Sequence, residues 1–405
     1  MSETFRKAMI NKLPQLPATR APWAEQRTPN EDDEEAEELE GEDSFDDLQA
    51  SLPPPTRFGN ADLTPLSASS FFSQALEVQP PNSPSTFRVY LTPPTTPSGS
   101  NSAKETYLVC HHGAGAGGLS FAALAKEVKV KSGGELGVLS FDCRGHGKTK
   151  TEGGKEVERD LSLPTLLADF LGLVEHLFPE PKDAPSFVLA GHSMGAAPVL
   201  SAAPILQQKG YKVPGVIVLD VVEGTAIESL HLMKSILSQR PSQFRSVVDA
   251  IHWHLSSNSV RDPESARVSV PSIIAPAPNL ASTSGAGEQQ IWRTDLLATE
   301  PYWEEWYKGL SSRFLSAKCA RLLILAGQER LDKELMVGQM QGKFQLEVMP
   351  DVGHYLHEDN PSSLAATIVT FWRRNTRVLV LPPKIGAVGV PGAKGGVEVK
   401  RVGED

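Results

Sequence analysis

The chain has 405 residues, 40% apolar and 22% charged, enough for a folded core, while 33 Gly and 32 Pro point to long irregular stretches beside it. Its formal charge of −10 has one source: residues 31–47 hold twelve acids and no Lys or Arg, and the remainder of the chain comes to +2. No broad basic face for nucleic acid is therefore expected, nor an acidic fold that would attract basic partners.

Three widely spaced cysteines, Cys110, Cys143 and Cys319, include no CxxC pair, so neither a disulfide framework nor a zinc knuckle is expected. No window approaches ~18 consecutive apolar residues, and the first residues lack the apolar block of a signal peptide. The chain is read as soluble, without a membrane span, in the cytoplasm and/or nucleus.

Residues 1–70 are rich in Pro, Ser and acids, and the self-repelling block 31–47 is expected to be disordered. Within 1–85 only short pieces such as SSFFSQALEV can pack. A folded domain is expected over 71–378, followed by a Gly/Pro/Lys-rich tail over 379–405. Inside the domain, TYLVC (106–110), GVLSFD (137–142), SFVLA (186–190), GVIVLD (215–220), RLLILA (321–326) and QLEVM (345–349) read as buried strands closed by Gly, Asp, His or Pro. Leu166, Leu167, Phe170, Leu173 and Leu177 recur at helical spacing, and another helix is expected after Asn360-Pro361, through Leu364, Ile368 and Phe371 to Arg374. Strands alternating with helices predict an α/β class with a mainly parallel sheet covered on both faces. Residues 224–312 break that rhythm with helix-like text and no strand alternation. They are expected to form a helical cap inserted between the strand ending at Asp220 and the one starting near Arg321, with a flexible loop at 271–290.

The chemistry-bearing motifs sit at the ends of these strands. HHGAGAGG (His111–Gly118) follows TYLVC and reads as an oxyanion loop, in which the Ala114 N–H joins that of Met194. A rival reading takes Gly113-x-Gly115-x-x-Gly118 as a dinucleotide fingerprint, with Asp142 as its ribose-binding acid; it leaves the later motifs without a role. FDCRGHGKT (141–149) borders the site, and the spacing around Lys148 is not that of a phosphate loop. GHSMG (Gly191–Gly195) follows SFVLA and precedes the helix-like AAPVLSAAPILQQ, the strand–turn–helix setting of a nucleophile elbow with Ser193 at its tip. The base falls on His354, in the turn after QLEVM. His357 invites a metal reading without a supporting ligand cluster, and His252 and His254 do not share a helix face. Two acids fit equally on residue order: Asp220, after the strand following the nucleophile, and Asp332, one strand later.

GHSMG, the His-Gly loop and DCRGHGKT together resemble the α/β-hydrolases. LDVVEGTAIESL (219–230), RDPESARVSV (261–270), LAGQERLDKELMVGQMQGKFQLEVMPDVGHYLHED (325–359), TFRVYL (86–91), IWRTDL and YWEEWYKGLSSRFLS are similar to the protein phosphatase methylesterases within them, a likeness running from about Phe71 to Arg377. The resemblance implies an α/β-hydrolase fold with nucleophile Ser193, base His354 and acid Asp220, leaving Asp332 as a turn residue. It further implies hydrolysis of the methyl ester on the C-terminal leucine of the protein phosphatase 2A catalytic subunit, through an acyl-enzyme and without metal or cofactor. The other readings are a general small-ester hydrolase or lipase of the same fold, and a phosphatase-binding scaffold with secondary catalysis. Arg373, Arg374 and Arg377 offer charge for the new carboxylate, or favourable charge at a helix C-terminus.

Overall fold

The computed structural model describes residues 62–95, 105–278, 289–327 and 331–376. The acidic block 31–47, the tail expected from 379, Arg377 and residues 279–288 of the expected flexible loop lie outside the described residues.

The strands are β1 (Gln74–Val78), β2 (Ser85–Thr92), β3 (Thr106–His111), β4 (Leu136–Phe141), β5 (Lys150–Thr151), β6 (Ser186–His192), β7 (Gly215–Leu219), β8 (Gln243–Phe244), β9 (Ile274–Pro276), β10 (Gln290–Trp292), β11 (Ala320–Ala326) and β12 (Gln345–Met349). Interspersed are α1 (Ala122–Ser132), α2 (Lys155–Arg159), α3 (Leu163–Leu177), α4 (Ala196–Gln208), α5 (Glu223–Ser238), α6 (Val247–Ser256), α7 (Pro263–Ile273), α8 (Trp303–Tyr307), α9 (Leu310–Ser316), α10 (Lys333–Met340), α11 (Leu356–Asp359) and α12 (Pro361–Thr376). Among the described residues, nine strands form the main sheet in the order β1-β2-β4-β3-β6-β7-β11-β12, with β5 beside β2. From β4 to β12 all neighbours are parallel, while β1 and β2 add an antiparallel edge. Each apolar run of the sequence lies in one of these parallel strands.

Period-two alternation explains why those runs are apolar throughout. On β3, Tyr107 and Val109 point into a core shared with Leu166, Phe170 and Leu173 of α3 and with α4. Leu108 and Cys110 point the other way, into a core completed by α1 and by Leu364, Ile368 and Phe371 of α12. Both faces of the sheet are thus covered by helices. Among the described residues no helix is long and apolar enough to cross a membrane.

The insertion between β7 and β11 departs from the expected all-helical cap. Beside α5–α8 it holds a small antiparallel sheet, β8-β10-β9. These strands are two or three residues long, too short to show alternation, and Pro241 and Pro276 obscure them further. The stretch expected to be flexible from 271 instead finishes α7 and enters β9. Residues 62–70, expected within the disordered region, also pack on this layer: Leu63 is buried in its apolar cluster, and the Leu66 N–H donates to the Arg267 carbonyl at 3.0 Å.

Arg144, in the loop after β4, is tied to Asp169 of α3 through Nε and Nη2 at 2.8 and 2.7 Å, and both side chains are nearly fully buried. Removing one member of a buried bidentate pair strands the other charge. Asp169→Ala is expected to cost about 3–5 kcal/mol in urea unfolding. Glu175→Ala, which breaks the exposed pair with Lys209, should cost less than about 1 kcal/mol.

Candidate active site

The C-terminal ends of the parallel strands, where open α/β sheets place ligands, bring the singled-out residues together. After β6 the chain enters a single 3-10 turn, Ser193–Gly195, and then α4. Ser193 stands at φ 50°, a left-handed conformation that a non-glycine residue adopts only when its surroundings impose it. The flanking glycines permit that turn by close approach: a Cβ on Gly191 would overlap the Gly195 carbonyl and the Ala196 backbone, and one on Gly195 would overlap the His111 and His112 carbonyls. Ser193 is left half-buried on the wall of a cavity of about 500 Å³.

Asp220 follows β7 and is also left-handed, at φ 51°. Its own N–H donates to the Ile324 carbonyl at 2.8 Å, and its Oδ1 accepts from the Ala326 N–H at 2.7 Å. Both bonds go to β11. Its Oδ2 faces His354 Nδ1 at 2.8 Å, with the carboxylate 1% exposed and the histidine 9%. Of the two acids left open by residue order, Asp220 is therefore the one bonded to His354. Asp332 instead caps α10, accepting from the Leu335 N–H at 2.9 Å and from the Ser311 hydroxyl at 2.5 Å.

The His354 turn is fixed from outside as well. Its carbonyl accepts from His192 Nε2 at 2.9 Å, which places the His192 proton on Nε2. The Asp359 carboxylate accepts from the Gly353 N–H at 2.5 Å and the Arg261 N–H at 2.8 Å. His357, fully buried, stacks on Phe121 at 4.5 Å between ring centres. It lies in a short helix of its own, α11, which starts at Leu356 before α12. Among the described residues no group of three or more His, Cys, Asp or Glu is placed to hold a metal.

The His-Gly loop passes over Ser193 so closely that a Cβ on Gly113 would come within 2.8 Å of His192 Nδ1 and 3.1 Å of Ser193 Cβ. Met194 is fully buried and Ala114 lies on the cavity wall. Two histidines that the motif reading left without a task set the loop's shape. His112 Nδ1 donates to the Gly113 carbonyl at 2.8 Å, while its Nε2 accepts from the Cys143 N–H at 2.9 Å. His146 Nδ1 donates to the Arg144 carbonyl at 2.8 Å, while its Nε2 accepts from the Gly115 N–H at 3.0 Å. Both patterns require a neutral ring, and burial holds both pKa values down, that of His146 at about 4. Asp142 is sealed between the two loops, accepting from the Gly118 N–H at 2.7 Å and the Lys148 N–H at 2.8 Å. It does not project outward as a ribose-binding acid would.

The cavity also exposes residues that sequence reasoning missed. The Tyr307 hydroxyl sits 3.5 Å from Ser193 Oγ. Trp303, Trp306, Leu230 and Met233 supply apolar walls, with Arg240 and Tyr355 beside them. Tyr307 lies in YWEEWYKGL, yet no spacing rule marks one tyrosine there as facing the serine. Arg373 and Arg374 are elsewhere, bonded to the Ser132 carbonyl at 3.1 Å and to Gln345 at 3.4 Å, away from the cavity lining. His254 is buried and His252 exposed, as expected of residues that do not share a helix face.

The model of the Alpha/beta hydrolase family matches residues 108–367. A protein phosphatase methylesterase 1 of Cryptococcus neoformans var. neoformans serotype D (strain JEC21 / ATCC MYA-565) is 63% identical over 426 aligned residues, covering 100% of both chains. Its namesake in Aspergillus fumigatus is 41% identical over 402 residues, covering 95% of this chain and 91% of its own. Among solved structures, E-2-(acetamidomethylene)succinate hydrolase superposes with a TM-score of 0.55 at 16% identity, covering 74% of this chain and 99% of that one, a likeness of fold alone.

Burial holds His111, His146 and His254 at about 4, against an ordinary 6.5, and pushes His112, His192 and His357 well down. A base depressed in the folded state leaves the unfolded chain binding more protons, so stability is full above pH about 6.5 and falls as pH drops toward 4. Burial raises the carboxyls of Asp142, Asp169, Glu358 and Asp359, which pulls the other way. The two sets oppose each other between pH 6.5 and 4, and the expectation is that the six histidines dominate. The Tm is expected to fall steadily on acidification from pH 6.5 to 4; a flat or rising Tm in differential scanning calorimetry would contradict the neutral assignments.

Proposed function

Since this chain belongs to the α/β-hydrolase family and, within it, to the protein phosphatase methylesterases, we propose that it removes the methyl ester from the C-terminal leucine of the protein phosphatase 2A catalytic subunit. Ser193 is the nucleophile, His354 the general base and acid, and Asp220 the carboxylate that orients His354. The observation that carries this reading is the 2.8 Å bond from His354 Nδ1–H to the buried Asp220 carboxylate. It puts the His354 lone pair on Nε2, the atom that must accept a proton.

His354 takes the proton of Ser193 as its oxygen attacks the ester carbonyl. The oxyanion collects the N–H groups of Met194 and Ala114. The Met194 amide is supplied by the turn itself, and the Ala114 amide is aimed by a loop that His112 and His146 hold in place. Collapse expels methoxide, which receives the His354 proton and leaves as methanol. A water deprotonated by His354 then attacks the acyl-enzyme and frees the leucine carboxylate. Asp220 stays ionised throughout and stabilises the imidazolium. The apolar walls suit the esterified leucine side chain, and a protein tail is narrow enough to reach a serine set below a cap. No step calls on a metal or cofactor.

On carboxymethylated protein phosphatase 2A, Ser193→Ala, His354→Ala and Asp220→Asn are each expected to lose on the order of 10³–10⁶-fold in rate, while Asp332→Asn stays near wild type. An active Asp220→Asn enzyme would overturn the assignment of the acid. A nitrophenyl ester assayed in parallel separates the readings: cleavage of that ester with an untouched phosphatase would favour a general small-ester hydrolase.

A further inference from the structure

Arg240, just past α5, lines the same cavity as Ser193 and takes no part in the hydrolytic steps above. Its guanidinium carbon sits over the Trp292 ring, 3.6 Å from the ring centre, and that indole is pinned by its Nε1–H to the Pro241 carbonyl at 2.7 Å. Stacking of this kind fixes the orientation of the guanidinium fork before any ligand arrives. Among the described residues no carboxylate pairs with it, whereas Arg144, Arg159, Arg261 and Arg267 each face an acid. Its titratable neighbours are Tyr355 and His254, and neither carries charge at neutral pH. Burial pushes the Tyr355 phenol up to about 12 and holds His254 at about 4. The two acids of the cavity wall are engaged elsewhere, Asp220 with His354 and Glu358 with the Ser269 hydroxyl, so Arg240 is a half-buried cation that pairs with no carboxylate among the described residues, an arrangement that favours an incoming anion.

Ser193 and this cation line one cavity, with Tyr307 and Tyr355 on the same wall, and the Tyr307 hydroxyl stands 3.5 Å from Ser193 Oγ. A methyl ester is uncharged, so any ionic recognition during binding must come from another part of the substrate. We infer that Arg240 is a specificity-determining residue which grips an Asp or Glu side chain a short way upstream of the esterified C-terminal residue. This rests on the methylesterase reading, since it supposes a peptide ester at Ser193. The free carboxylate of the product is the other source of the same chemistry, and the two sources have different kinetic consequences.

The test uses the full-length protein and peptides ending in leucine methyl ester, with Glu or Gln at successive upstream positions. Wild type is expected to prefer Glu at one position by about ten- to a hundred-fold in kcat/KM, expressed mainly in KM. Arg240→Gln should erase that preference, Arg240→Lys should retain part of it, and Arg240→Glu should shift it toward a Lys-bearing peptide, a reversal that a merely structural role would not produce. Melting curves identify variants that fail to fold, in which case Arg240→Lys, the mildest change, carries the comparison. Absence of a Glu preference in wild type, or its survival in Arg240→Gln, overturns the inference. Weaker inhibition of Arg240→Gln by the free-acid peptide, with the Glu preference intact, would overturn it in favour of product binding. Cleavage of a nitrophenyl ester without demethylation of carboxymethylated phosphatase, run as a control, would instead bring down the methylesterase reading, and this inference with it; demethylation of the phosphatase without cleavage of any peptide would overturn this inference alone.

Discussion

A buried carboxylate is costly unless its oxygens are occupied, and the way Asp220 meets that requirement organises the whole C-terminal edge of the sheet. One oxygen takes the Ala326 N–H of β11 and the other faces His354, 134 residues further along the chain. Those bonds close only when β7, β11 and β12 lie side by side in parallel register, as they do from Leu219 opposite Ile324 to Ala326 opposite Met349. The left-handed backbone at Asp220 and at Ser193 is therefore strain held by a sheet packed on both faces. The proposed nucleophile and acid directly follow strands β6 and β7, while the proposed base sits in the turn after β12 that His192 and Asp359 hold.

Around this edge the protein spends histidines unusually. One histidine holds the His354 carbonyl, and two others clamp the glycine loop over Ser193 to the loop after β4. The two clamping rings, His112 and His146, each use one nitrogen as donor and the other as acceptor, a role that burial enforces by disfavouring the charged form. The cap then adds the apolar walls, the Tyr307 hydroxyl and the Arg240 guanidinium. The proposed reaction chemistry thus belongs to the edge of the sheet, and the proposed selectivity to the insertion above it.

How much of this was legible in sequence follows from the range over which each signal acts. The parallel strands were readable because burial on both faces makes them continuously apolar. The elbow was readable because Gly191 and Gly195 are demanded by local close contacts. The choice between Asp220 and Asp332 was not, because both end a strand of the same sheet and only the distance to His354 separates them; the family resemblance favoured Asp220, the acid that the geometry bonds to His354. Strands β8, β9 and β10 were missed because two or three residues cannot display a period. Tyr307, His146 and Arg240 were missed as site residues because their importance lies in partners far away in sequence. Arg373, Arg374 and Arg377 offered charge for the product carboxylate or for a helix C-terminus, whereas the cationic side chain on the cavity wall among the described residues is Arg240.

The central claim is that the Asp220–His354 pair activates Ser193. Its most direct test is the rate at which a fluorophosphonate probe labels the intact protein, with the modified residue mapped by mass spectrometry. The account predicts a single adduct on Ser193, formed rapidly in wild type and in Asp332→Asn but slowed by orders of magnitude in Asp220→Asn. Labelling of Ser193 at the wild-type rate in Asp220→Asn, or an adduct on a different serine, would contradict it.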